Sequence, residues 1–158
     1  MAATNISTKI KERASNARYE QPYETRVYTF DFTDSEFTGI TTVATHNIAP
    51  IEEGWALIGG CGIVSTAVTS GGSATLTFQV GSDALTGAIP VANLAAGDVF
   101  RLLFAESAST ETKALYAASA ADTLDMAVGT AAVTAGVITL VLHYVDMTTI
   151  LASGKIKP

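Results

Sequence analysis

The chain has 158 residues, 48% of them apolar and only 15% charged, with one cysteine and a formal net charge of −6. That length fits one domain with a single core plus extensions. One cysteine excludes an internal disulfide framework and a multi-cysteine metal site. The acidic balance excludes wrapping of nucleic acid, because that affinity needs many phosphates neutralised at once.

Positive charge gathers at the two ends. Lys9, Lys11, Arg13, Arg18 and Arg26 fall in the first 26 positions against three acids, so that stretch carries 5 − 3 = +2. Lys155 and Lys157 fall in the last four. Residues 27–154 hold Arg101 and Lys113 against twelve acids, 2 − 12 = −10. An acidic body with basic extensions predicts a folded module whose termini grip another surface. Glu12, Glu20 and Glu24 dilute the first stretch too far for a nucleic-acid arm. Ile6, Ile10 and Ala14 recur at four-residue spacing with Ser7 or Thr8 as a cap, which predicts a helix too short to be stable alone. Pro22 then forces an extended approach to the first strand. The division expected is an anchoring arm over 1–25, a β-sandwich over 26–147 and a C-terminal extension over 148–158. The arm residues expected to touch a partner are Ile6, Lys9, Ile10, Lys11, Arg13, Arg18, Tyr19 and Tyr23. Tyr19 and Tyr23 serve equally well to pin the arm onto its own domain. No apolar stretch of a secretory signal is visible in residues 1–20.

The body alternates with period two. Tyr28, Phe30 and Phe32 share one face within 26–33, opposite Thr29, Asp31 and Thr33. Ala74, Leu76, Phe78 and Val80 alternate with Ser73, Thr75, Thr77 and Gln79. Leu124, Met126 and Val128 alternate with Thr123, Asp125 and Ala127. These are half-buried strands. Two stretches are apolar on both faces, which makes them central or covered by another subunit. In 55–65, Trp55, Leu57, Cys61 and Ile63 oppose Ala56, Ile58 and Val64. In 137–146, Ile138, Leu140, Leu142 and Tyr144 oppose Val137, Val141 and Val145. Further strands are expected over 37–45 and 99–104, a long loop over 83–94 and one helical turn in the Ala-rich run 114–121. Gly and Ser punctuate at 70–72, 97 and 134–136. Short strands with such turns predict an all-β fold, a jelly-roll-like antiparallel β-sandwich behind an extended N-terminal arm. The uncharged stretch 126–142 is broken by Gly129, Thr130, Thr134, Gly136 and Thr139. It is a hairpin pattern and predicts no membrane span.

No constellation predicts catalysis, a metal or a cofactor. Asp31, Asp34 and Glu36 lack the alternation and the early glycine of a calcium loop and read as a solvated acidic turn. Gly59-Gly60-Cys61-Gly62 lacks the third glycine and the helix of a dinucleotide loop. Its glycines predict a bulge or a close backbone approach. Cys61 is assigned to the inner face as a small hydrophobe, because nothing in the spacing brings His46 or His143 to it. Trp55 is expected as a core anchor.

The Thr/Ala/Gly-rich short strands, the run Ser73–Leu85, the closing hairpin Asp122–Asp146 with Ala135-Gly136-Val137 at its return, and the N-terminal extension together resemble the small β-sandwich decoration, or cement, proteins of tailed-phage capsids. The resemblance implies a non-enzymatic virion protein. It would be a homotrimer on the outer capsid surface, bound to the major capsid protein and reinforcing contacts between its subunits, with no nucleic acid or membrane as partner. A phage tail or head-fibre component binding host glycans is the alternative.

Overall fold

The computed structural model describes residues 23–103 and 116–148. In chain order the elements are β1 (Tyr23–Asp31), a 3-10 turn (Thr38–Ile40), β2 (Ala44–Ile51), β3 (Trp55–Ser70), β4 (Thr75–Val80), β5 (Asp83–Ala84) and β6 (Ile89–Pro90). A second 3-10 turn (Val91–Asn93) follows, then β7 (Val99–Leu102), β8 (Tyr116–Ala117), β9 (Asp122–Gly129) and β10 (Val133–Asp146). They build two antiparallel sheets. The first runs β1-β10-β3-β7, with β8 also on β3; the second runs β2-β9-β4-β5, with β6 also on β4. The expected all-β antiparallel sandwich is what forms. The chain passes from the first sheet to the second and back as it proceeds from β1 through β4, so neighbours in sequence face each other across the core.

Alternation explains which faces meet. Tyr28, Phe30 and Phe32 from β1 and the residues after it, Leu76, Phe78 and Val80 from β4, Leu124, Met126 and Val128 from β9, and Ile138, Leu140, Leu142 and Tyr144 from β10 are all buried in one cluster. Each large apolar side chain so buried contributes about 1.5–3 kcal/mol. Phe78 of the second sheet stacks on Phe100 of the first, with centroids 5.4 Å apart, and ties the two layers together. Phe30 and Phe37 meet edge to face at 5.7 Å and close one end.

Three expected stretches form differently. No strand occupies residues 37–43. The Asp31 carboxylate accepts the Thr33 N–H at 2.9 Å, and the Asp34 carboxylate accepts the Glu36 N–H at 3.0 Å. These Asx turns curl the chain into the 3-10 turn and delay β2 to Ala44. Of the Ala-rich run 114–121, Tyr116 and Ala117 pair with β3 as a short strand instead of turning as a helix. The stretch 83–94, expected as a long loop, instead carries β5, β6 and the second 3-10 turn, both strands pairing with β4, while Thr86 Oγ1 accepts the Phe78 N–H at 3.0 Å and Leu85, Val91 and Leu94 are buried.

The faces of β3 also differ from strict alternation. Tyr144 pairs with Leu57 and His143 with Gly59, which leaves Ile58 as an extra residue in a bulge. One inserted residue reverses parity. Leu57 points inward before the bulge, Val64 points inward after it, and Cys61 and Ile63 are turned to the outside. The assignment of Cys61 to the inner face is therefore corrected. The glycines next to the bulge are needed for close approach. A Cβ on Gly60 would run into the Val141 carbonyl, and one on Gly62 into the Phe100 ring.

Candidate functional site

The residues that carry chemistry in other proteins are engaged structurally here. His46 Nε2 donates to the Thr42 carbonyl at 2.8 Å on β2, in the second sheet. His143 lies on the outer face of the first sheet, its Nδ1 3.1 Å from the Thr25 hydroxyl. Cys61 sits on that same face, opposite Val141 and Arg101. The Asp31 carboxylate is held below the usual range by hydrogen bonds from the Thr33 hydroxyl and then the Thr33 N–H. It serves its own turn. Among the described residues no three His, Cys, Asp or Glu side chains come together as a metal site. No helix there is long and apolar enough to cross a membrane.

The densest polar cluster closes the end of the sandwich where β1 begins. Arg26 is only 6% exposed. Its Nη2 donates to Glu24 at 3.1 Å and to Glu52 at 3.0 Å. Its guanidinium lies 4.9 Å from the centroid of Tyr144 and 5.3 Å from that of Trp55. Burial works against the charge, but the Glu24 hydrogen bond and the Glu24 and Glu52 charges outweigh it and hold the guanidinium above its ordinary value. Two aromatic faces add cation–π attraction. Arg26, counted in the sequence with the positive charge of the first 26 positions, is thus engaged inside the domain. Among the described residues the only other basic side chain is Arg101.

The two outer faces of the sandwich differ in chemistry. On the second sheet the register lines up Asn47, Asp125 and Gln79 in one row and Thr45, Ala127 and Thr77 in the next. That face is suited to water. On the first sheet one row is Val27, Val141, Cys61 and Arg101, and the next is Thr29, Thr139, Ile63 and Val99. Val99 is 64% exposed, Leu103 49% and Ile63 38%. Ile63, Val99 and Leu103 thus form an exposed apolar strip on this face, beside Thr29, Thr139 and Arg101. Sequence alone marked Val137 and Val141. It named Ile63 in the other stretch apolar on both faces but on the side of Cys61, taken as inner, and did not join Val99 to it, because the register that sets them side by side is non-local.

Of the residues expected to touch a partner, Tyr23 is the first of β1, 64% exposed and opposite Val145. Ile6, Lys9, Ile10, Lys11, Arg13, Arg18 and Tyr19 lie outside the described residues, as does the expected arm helix.

No protein-family model matches the chain, and no curated protein matches its sequence. Solved structures do. A chain of the acid-stable capsid of Helicobacter pylori bacteriophage KHP30 superposes with a TM-score of 0.50 at 12% identity, covering 82% of this chain and 91% of that one. A chain of the capsid of Ralstonia phage GP4 superposes with a TM-score of 0.45 at 20% identity, covering 77% of this chain and 84% of that one. At these identities the likeness is one of fold.

Proposed function

We propose that the chain is a structural virion protein, a decoration protein that seats on the outer surface of a phage capsid and reinforces contacts between major capsid subunits. The observation that carries this reading is the fold shared with the KHP30 capsid chain over 82% of this chain and 91% of that one. The order β1-β10-β3-β7 against β2-β9-β4-β5 is read as a jelly roll, two Greek keys wound together. The apolar outer face of the first sheet supplies a surface for a neighbouring subunit. Arg26 and Arg101 aside, the described body is acidic, which suits a fixed module. In this reading the arm anchors it: Lys9, Lys11, Arg13 and Arg18 meet acidic groups, Ile6 and Ile10 fill apolar hollows, and Tyr19 and Tyr23 pack at the junction. Many copies on a repeating shell make weak single contacts sufficient.

Co-sedimentation with purified capsids stripped of the endogenous protein tests this. Full-length chain is expected to bind saturably. Chain lacking residues 1–22 should bind more weakly, and the difference should shrink as salt rises, since exposed charges are screened over ~8 Å at physiological ionic strength. Failure of the full-length chain to sediment with capsids at any salt overturns the virion reading. Equal binding by both forms removes the arm from it. Immunogold labelling confined to tails would replace the capsid assignment with the fibre alternative.

A further inference from the structure

Every open sheet has edges, and this molecule guards all but one of those described. β2 carries a bulge between Asn47 and Ala49 and then Pro50. β5 and β6 are two residues each, and β7 is four. Short strands, bulges and proline are the usual protections against strand addition. β1 has none of these three; its one inward-pointing cation, Arg26, is paired with Glu24 and Glu52 inside the domain. It is nine residues long, its register with β10 runs without a bulge from Tyr23 to Asp31, and it contains no proline or lysine. Among the described residues it pairs only with β10.

The direction of its free main-chain groups follows from the ladder. The Phe32 N–H donates to the Gly136 carbonyl at 2.9 Å. In an antiparallel pair, bonds to one neighbour recur at every second residue. The even-numbered residues of β1 therefore bond β10, and Tyr23, Thr25, Val27 and Thr29 turn their N–H and C=O groups to the open edge. The Asp31 carbonyl fits this parity, since it is free of β10 and accepts the Asp34 N–H at 3.0 Å.

We infer that the β1 edge pairs with the β1 edge of a second copy, antiparallel about a two-fold axis through Val27, a dimer in place of the homotrimer that the resemblance implies. The sequence of β1 is self-complementary about that residue. Val27 meets its own equivalent, and Thr25 meets Thr29 of the second copy. All three turn main-chain donors and acceptors outward, which allows about six hydrogen bonds between the copies. Thr–Thr pairs are favourable across strands. No like charges fall opposite one another, for Glu24 faces Phe30, Arg26 faces Tyr28, and Tyr23 faces Asp31 of the second copy. The side chains of Thr25, Val27 and Thr29 lie on the outer face, so pairing doubles the apolar row of Val27, Val141 and Cys61.

Analytical ultracentrifugation of the full chain tests this. The expected mass is twice 16.3 kDa. Val27→Pro removes an N–H that faces the open edge and not β10, a placement that edge strands tolerate. It is expected to weaken the dimer about tenfold or more. The double variant Thr25→Lys, Thr29→Lys sets lysine against lysine and should do the same, with circular dichroism confirming that each variant is folded. Register is read by oxidation in a Cys61→Ala background. Val27→Cys should cross-link to a covalent dimer, because Cα atoms of a hydrogen-bonded antiparallel pair are about 5.5 Å apart, within disulfide reach. Thr25→Cys should not, because the two equivalents are about 14 Å apart. A monomer at hundreds of micromolar, a mass of three copies, a dimer untouched by either folded variant, or equal cross-linking at the two positions overturns the inference. Capsid binding is a separate measurement, so failure here leaves the virion reading standing.

Discussion

Tyr144 is 1% exposed, and its hydroxyl has no hydrogen-bond partner among the described residues. A buried hydroxyl without a partner costs about 1–3 kcal/mol. Tyr144→Phe keeps the ring under the Arg26 guanidinium and removes the orphan, so it should stabilise the protein by about 1 kcal/mol, read as a higher urea midpoint. The same burial pushes the phenols of Tyr144 and Tyr28 above their ordinary value. An unfolded tyrosine ionises near pH ~10. Above that pH the unfolded chain sheds protons that the native state retains, so stability is fully present below ~10 and falls as pH rises further. Tyr144→Phe should flatten this alkaline limb, and an unchanged limb would exclude Tyr144 as its source. Arg26→Met is expected to cost about 3 kcal/mol, because it strips the counter-charge from Glu24 and Glu52 and uncovers two aromatic faces. A loss below ~0.5 kcal/mol in the same titration would reduce the pair to a surface contact.

At the scale of single strands, β3 is the one whose backbone cannot move. Gly60 faces the Val141 carbonyl of the central neighbour β10, and a carbonyl fixed in a ladder cannot rotate away as a side chain can. Gly60→Ala should therefore cost about 2–3 kcal/mol in thermal or urea unfolding, in the range of overpacked cores. Gly71→Ala, with nothing within 4 Å of its Cβ, should cost far less. These strands also show what could be read from the chain. Leu76, Phe78 and Val80 and then Leu124, Met126 and Val128 alternate without interruption, and their strands and faces were legible. Cys61 was not: the glycines at 59, 60 and 62 announced a bulge or a close approach, but not which residue is inserted, and the extra residue at Ile58 reverses parity. Phe37 to Val43 is apolar enough to pass for a strand, while its turn is dictated by the Asp31 and Asp34 carboxylates upstream. The outer face was half legible: Val137 and Val141 stand out on β10, but Ile63 and Val99 join them only through long-range register.

Among the described residues, the outer face of the second sheet is polar, while that of the first carries an exposed apolar strip of Ile63, Val99 and Leu103. If that strip is a contact surface, changes there should separate binding from stability. Ile63→Lys with Val99→Lys is expected to shift folding stability by no more than ~0.5 kcal/mol, as exposed sites do, yet abolish capsid co-sedimentation. Retained binding by the folded double variant would move the contact elsewhere. The sheet that presents this face has another consequence, in time. β10 slots between β1 and β3, so residues 23–31 have their partner only when residues 133–146 exist. A chain emerging from the ribosome can begin its second sheet with β4 but cannot close its first until nearly all of it has been made. Folds dominated by such distant pairings mature in milliseconds to seconds, more slowly than helical bundles. During that interval β1 offers bare backbone along both sides. Synthesis rate and chaperone access, more than equilibrium stability, will then decide how much of the protein reaches its assembled form.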